Sequence, residues 1–293
     1  MFDFLTRGGK PGKNGPTAPR RPPKLGLALG SGAARGFAHV GVLRALAEIG
    51  VKPDIVVGTS IGAVAGAAYA SGLIDTLEGY ARKIDARLML RLLDLNLGGG
   101  GLMAGSRLGG FLTGEFGERR IEDLKPAFAC VATELATGNE SWLRSGPLVP
   151  AIRASSAIPG ILQPVAIDGR WMVDGALVNP VPVSVCRAMG AEAVIAVSLS
   201  ADFFSRGNSV RSTGQDGADL TVPSLADVVI QAFSIAEDRI TRSRLAGDPP
   251  DILIGPKVGH IMDFDFQRGA EAIDLGRDAT LKAAAHLRAL AGV

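Results

Sequence analysis

Cysteine, histidine and aromatic side chains are all scarce in this chain of 293 residues, which holds two cysteines, three histidines and only 5% Phe, Trp and Tyr. Cys130 and Cys186 sit in apolar neighbourhoods, AFACVAT and PVSVCRAM, with no metal-ligand spacing and no histidine beside them. They read as buried thiols, and no metal or other cofactor is expected. A dominant charge is lacking too: 31 basic residues against 29 acidic ones leave a formal net charge of +2, and no nucleic-acid partner is expected. No apolar run of roughly 7 to 15 residues, as a signal peptide needs, follows the first basic groups, so the cytoplasm is the expected location.

The small net charge hides an uneven distribution. Residues 1–24 carry Arg7, Lys10, Lys13, Arg20, Arg21 and Lys24 against Asp3 alone, which leaves the rest of the chain net acidic. Rich in Gly and Pro, residues 1–24 are expected to form a flexible basic tail, with 25–293 as the folded domain. The opening Met1-Phe2-Asp3-Phe4-Leu5 leaves weak contact with an anionic membrane surface open, beside the plainer role of a solvated linker.

Beyond the tail the text is regular, with 47% apolar residues and 39 glycines that suit tight turns and close backbone approaches. LGLALG reads as a strand and GFAHVGVLRALAEIG as a helix; DIVVGTS and IGAVAGAAYASG repeat the unit. FACVAT, WMVD, AVIAVSL and DILIG are further strands, with VCRAMG and SLADVVIQAFSIAEDRITRSRL as helices between the later ones. The closing EAIDLGRDATLKAAAHLRAL reads as a surface-type helix. Residues 75–97 read as amphipathic helix, and with the joint Gly98–Gly101 they make 86–101 a candidate mobile flap. The polar stretch 205–219 reads as a disordered loop. Such alternation favours an α/β fold, a mostly parallel sheet with helices on both faces. One rival concerns residues 55–74, an uncharged stretch with glycines at 58, 62 and 66 that is long enough to span a membrane. Its acidic flanks, Asp54 and Asp75, argue against that.

Within GTSIG, Ser60 follows an apolar β-branched run and opens a helix. A nucleophilic serine at such a turn needs small residues two before and two after it, as Gly58 and Gly62 are. The bare string carries little weight in a glycine-rich chain; its strand-to-helix context carries more. An attacked ester also needs backbone N–H groups fixed where negative charge develops on its carbonyl oxygen. The turn Gly30-Ser31-Gly32-Ala33-Ala34-Arg35-Gly36 fits that demand, with Arg35 placed to hold the loop or add positive potential. A simple tight turn and a dinucleotide site are the alternatives. The second is disfavoured because Arg35 stands where the third glycine of G-x-G-x-x-G belongs and no acidic residue closes the second strand.

The histidines offer the serine no convincing base: His39 precedes it in the first helix, His286 lies in the alanine-rich closing helix, and His260 has no strand-end turn beside it. Asp174, ending the apolar segment of WMVDGALVNP, is the better candidate. To act as a base it needs a desolvated pocket that raises its pKa or couples it to the hydroxyl. An isolated D-G, read by itself, is better taken as a turn aspartate capping its own backbone.

Together GSGAARG (30–36), GTSIG (58–62) and DGA (174–176) resemble, in order and spacing, the motifs of the patatin-like phospholipase family, and RASSAIPGI (153–161) and NPVPV (179–183) add to the likeness, which spans about residues 25–293. The resemblance implies a three-layer α/β/α patatin-like fold and a Ser–Asp dyad without histidine. In it Ser60 is nucleophile and Asp174 base, Gly30, Ser31, Gly32, Ala33 and Arg35 belong to the oxyanion loop, Gly58 and Gly62 to the elbow, and Gly175 and Ala176 to the DGA motif. It implies hydrolysis of phospholipids, lysophospholipids or other acyl esters without a cofactor. Ser31 departs from the glycine that many members carry. A non-catalytic lipid-binding or regulatory protein on the same fold is the alternative, and the oligomeric state stays open.

Overall fold

The computed structural model describes residues 21–84, 94, 101–200 and 222–293. The expected basic tail up to residue 20, nearly all of the flap candidate and the whole of 205–219 lie outside the described residues. Strand β1 (Leu25–Leu29) leads through a 3-10 turn, Ala33–Phe37, into α1 (Ala38–Glu48). Strand β2 (Ile55–Thr59) leads into α2 (Ile61–Ala70) across the single residue Ser60, and α3 (Ile74–Lys83) follows. Then come β3 (Gly101–Met103), α4 (Ser106–Phe116), β4 (Ala127–Glu134), β5 (Glu140–Leu143) and α5 (Leu148–Ser155). Three short strands, β6 (Gly160–Leu162), β7 (Val165–Ile167) and β8 (Arg170–Asp174), precede α6 (Val183–Ala188) and β9 (Ala193–Val197). The chain closes with α7 (Leu225–Gly247), β10 (Ile252–Ile254), α8 (Gly269–Lys282) and α9 (Ala284–Ala291).

The main sheet runs β10-β9-β1-β2-β4-β8-β7, with β5 paired to β4 off this path. Its β10-β9-β1-β2-β4 part is parallel, while β5, β7 and β8 are antiparallel additions. Strands β1, β2 and β9 are buried along their whole length, as strands covered on both faces must be. Leu27, Leu29, Val56, Phe128, Cys130, Ile195 and Val197 pack into one apolar cluster with α1, α2, α5 and α8. Their alternates Ala28, Val57, Ala129, Val131, Val194 and Ala196 pack into a second cluster with α6. The period of two along each strand therefore builds a helical layer on either side, the expected three-layer α/β/α arrangement.

The disfavoured rival for residues 55–74 fails, and the reading of the closing segment is revised. Residues 55–74 form a strand, a turn and a helix of 10 residues, and no helix among the described residues is long and apolar enough to cross a membrane. The closing segment is two helices, and the surface-type helix expected there has a closely packed second face: α8, exposed at Asp274, Arg277 and Asp278, lies on α1 in the most extensive helix pair among the described residues. A Cβ on Gly276 would stand 2.0 Å from the Ala38 carbonyl oxygen, and one on Gly41 would stand 1.8 Å from that of Ile273. With glycine at the crossing on both sides, the polar sequence of α8 conceals a backbone-close packing face.

Candidate active site

Strand β4 places the site. Thr59, the last residue of β2, pairs with Val131, and Asp174, the last of β8, pairs with Ala132. Because β5 pairs across Cys130 to Thr133, it occupies the other edge. So β2 and β8 meet end to end along one edge of β4, and their ends face each other at adjacent register positions.

Ser60 is 6% exposed and held at φ 57°, ψ −124°, a conformation strained for any residue with a side chain. The elbow glycines explain how the chain reaches it. A Cβ on Gly58 would lie 2.2 Å from the Gly62 carbonyl oxygen, and one on Gly62 would lie 2.2 Å from that of Leu29. The Ser60 amide is anchored by Ser155 Oγ at 3.0 Å, which itself donates to the Val131 carbonyl at 2.6 Å. Thr59 Oγ1 donates to the Asn179 carbonyl at 2.8 Å.

Ser60 Oγ donates to Asp174 Oδ2 at 2.7 Å, and Asp174 Oδ1 accepts the Ala176 amide at 2.8 Å from the turn Gly175–Leu177. Asp174 therefore caps its own turn with one oxygen and meets the serine with the other. Thr133 Oγ1 and the Ala157 carbonyl bind its main chain at 2.8 and 2.9 Å. Burial lifts its carboxyl to about 7, against the lowering pull of the Ala176 and Ser60 hydrogen bonds and with a smaller upward push from the Glu237 charge.

The glycine-rich turn lies beside this pair. Gly32 adopts φ +151° and Ala33 φ +47°, and a Cβ on Gly32 would press on the Leu199 side chain at 3.0 Å. Gly30 and Ser31 donate their amides to the Val197 and Pro180 carbonyls, and Ala34 donates to Asp263, each at 3.0 to 3.1 Å. Among the described residues the amides of Gly32 and Ala33 have no acceptor, nor has that of Ile61 at the positive end of α2. Arg35, 2% exposed, holds the loop through an ion pair with Asp263 at 2.8 Å. Of the two roles open to Arg35, the ion pair supplies the first.

A cavity of about 250 Å³ opens at Ser60, walled by Phe37, Ile61, Val64, Leu77, Phe111 and Leu112, with Ser156 and Arg153 among its few polar neighbours. A second, small recess at the serine is lined by Ser31, Gly32, Ser234, Glu237 and Asp263 together with the apolar Ile230 and Phe233. None of the three histidines bonds to Ser60 or Asp174. His39 is fully buried with Nε2 2.7 Å from the Gly30 carbonyl, and burial lowers it to about 4, so the neutral ring donates there. His260 pairs with Glu271, and His286 is exposed. The structure thus gathers Ser60, Asp174, Gly30 to Arg35, Gly58, Gly62, Gly175 and Ala176 in one place. Sequence reasoning did not single out Ser155, Thr133, Glu237 or Asp263, and of these only Ser155 stood inside a motif already noted, RASSAIPGI.

The model of the patatin-like phospholipase family matches residues 27–187. An uncharacterised NTE family protein of Mycobacterium tuberculosis is 40% identical, over 87% of this chain and 89% of its own length. The lysophospholipase NTE1 of Pyricularia oryzae is 29% identical over 86% of this chain, which corresponds to 18% of that longer protein. Among solved structures, VipD from Legionella pneumophila superposes with a TM-score of 0.56 at 13% identity, covering 91% of this chain and 67% of that one, a likeness of fold. With the motif order, the sheet topology and these matches in agreement, the chain belongs to the patatin-like phospholipase family.

Proposed function

We propose that the protein is a serine lipid acyl hydrolase, acting as a phospholipase A, lysophospholipase or related carboxylic ester hydrolase through a Ser60–Asp174 dyad. The observation that carries this is the 2.7 Å bond from Ser60 Oγ to a buried carboxylate at the mouth of an apolar cavity. Asp174, lifted to about 7, is a base matched to neutral pH. As Oγ bonds to the acyl carbonyl carbon, its proton passes to Asp174. The carbonyl electron pair moves to the oxygen, where the Gly32 and Ala33 amides, with that of Ile61, receive the negative charge. Collapse of this intermediate breaks the ester bond, and the departing alcohol takes the proton from Asp174. Water then attacks the acyl–Ser60 ester, giving a proton to Asp174, and the fatty acid leaves as Oγ recovers it.

The apolar walls support an acyl chain as the bound portion, and the lysophospholipase among the relatives supports a lipid as its source. Phe264 and Met262, 45% and 42% exposed, lie close together, with Phe264 lining the cavity; they suit transient contact with a lipid surface during entry. Labelling with a fluorophosphonate probe tests the assignment: the wild type labels, Ser60→Ala does not, and Asp174→Asn labels at least about 100-fold more slowly. Labelling of Ser60→Ala at the wild-type rate would remove the serine from the proposal.

A further inference from the structure

We propose that Glu237 is a positioning residue, which acts through Ser31 to hold the Gly32 and Ala33 amides in the geometry of an oxyanion hole; this rests on the Ser60–Asp174 reading. Glu237 lies in the middle of α7, far in sequence from every motif, yet only 7% exposed. Its Oε1 accepts the Ser31 hydroxyl at 2.6 Å, and Ser31 is itself 3% exposed. One turn earlier on α7, Ser234 Oγ donates to Asp263 Oδ2 at 3.2 Å, and Asp263 holds Arg35 and the Ala34 amide. The loop is therefore fastened just before and just after the two amides that have no acceptor among the described residues.

Those fastenings act on a strained stretch. Ala33, at φ +47°, occupies a region that residues other than glycine leave unless their surroundings over-determine it. Gly32 beside it is at φ +151°. Relaxation at either residue would reorient the neighbouring N–H groups. The Ser31 main chain is tied through its amide to the Pro180 carbonyl at 3.0 Å, but its side chain reaches that oxygen only at 3.5 Å, so the short bond to Glu237 governs the side chain. A glycine at position 31 makes no such bond, and the carboxylate of α7 then has no hydroxyl to receive. Both side chains line the small recess that Ser60 also lines, so the tie sits beside the reacting centre.

The test is a double-mutant cycle on a soluble p-nitrophenyl ester, using Ser31→Ala, Glu237→Ala, the double variant and Glu237→Gln. Rates are normalised to active sites, counted by fluorophosphonate labelling carried to completion, so that loss of folded protein does not enter kcat. Each single variant is expected to lose about tenfold in kcat at nearly unchanged KM, a fraction of the ~100-fold or greater loss on deleting an oxyanion donor. The double variant is expected to lose no more than the worse single one, because both remove the same bond. Glu237→Gln, whose amide oxygen still accepts the Ser31 hydroxyl, is expected to return kcat to within about threefold of wild type. If Glu237→Ala does not fold, Ser31→Ala and Glu237→Gln carry the comparison alone. Losses that multiply in the double variant, a change confined to KM, or unchanged kcat per labelled site would each overturn the proposal. Ser60→Ala separates the two levels: if it still labels, the underlying dyad reading fails. If it is silent while the Ser31 and Glu237 variants turn over at the wild-type rate, the positioning role alone fails.

Discussion

Asp174 satisfies two demands with two oxygens, and its environment decides which protonation state each condition favours. Its carboxyl is raised to about 7 chiefly by burial, so the basic form grows as pH rises through 7. The expected pH profile of kcat/KM on a soluble ester falls about tenfold per pH unit well below 7 and levels off above it. A profile flat down to pH 5 would show that Asp174 is already ionised there and that its burial does not tune it. The sign for stability is opposite. A group whose folded pKa is raised stabilises the fold fully below its unfolded value and loses that contribution as pH climbs through the folded one. Asp174→Asn, which can still meet both Ser60 and Ala176, is therefore expected to melt higher than wild type at pH 8, by the equivalent of a few kcal/mol at most, with no such gain near pH 4. Thermal denaturation at the two pH values checks this, alongside a loss of at least ~1,000-fold in activity. The sequence around Asp174 shows a strand end before a turn and, in DGA, a likeness to the family's dyad aspartate; the readings of cap and base are compatible in geometry.

Among the elements, β4 and α2 do most to shape the site. β4 reads in the sequence as an ordinary apolar strand, FACVAT, and nothing in its composition signals that two other strands abut along one of its edges. That fact is a matter of pairing between residues more than 40 positions apart, for which a single sequence holds no local signal. α2 is different, because its small-residue run announces close packing, and Val64, one turn after Ser60, lines the apolar cavity. Four extra methylenes, from a butyryl to an octanoyl p-nitrophenyl ester, are each worth about 0.8 kcal/mol when buried, so kcat/KM is expected to rise by on the order of 100-fold. Val64→Trp should cut that rise below about tenfold while leaving the butyryl ester within a few-fold of wild type. An octanoyl preference untouched by the substitution would place the acyl chain elsewhere.

At the scale of the whole molecule, the sheet separates two cores, and the chain's last third returns to close one of them through α8 on α1. Gly276→Leu drives a side chain into the Ala38 backbone and is expected to cost about 3 kcal/mol, a fall in melting temperature on the order of 10 °C. Gly79→Ala, in α3 where an added Cβ meets nothing within 4 Å, is expected to raise it slightly, through the lower conformational entropy of the unfolded chain. Equal effects would mean that the helix crossing does not depend on backbone contact. The sequence by itself determined the alternation of strands and helices, the elbow around Ser60, the glycine-rich turn and the strand-end aspartate, because each rests on local periodicity or on a turn with its own residue requirements. Only the tertiary structure decided that α8 is a packing helix, that β2 and β8 meet over β4, and that Glu237 reaches Ser31. These depend on which distant surfaces come together, and burial, not spacing along the chain, lifts the Asp174 carboxyl to where it can serve as a base.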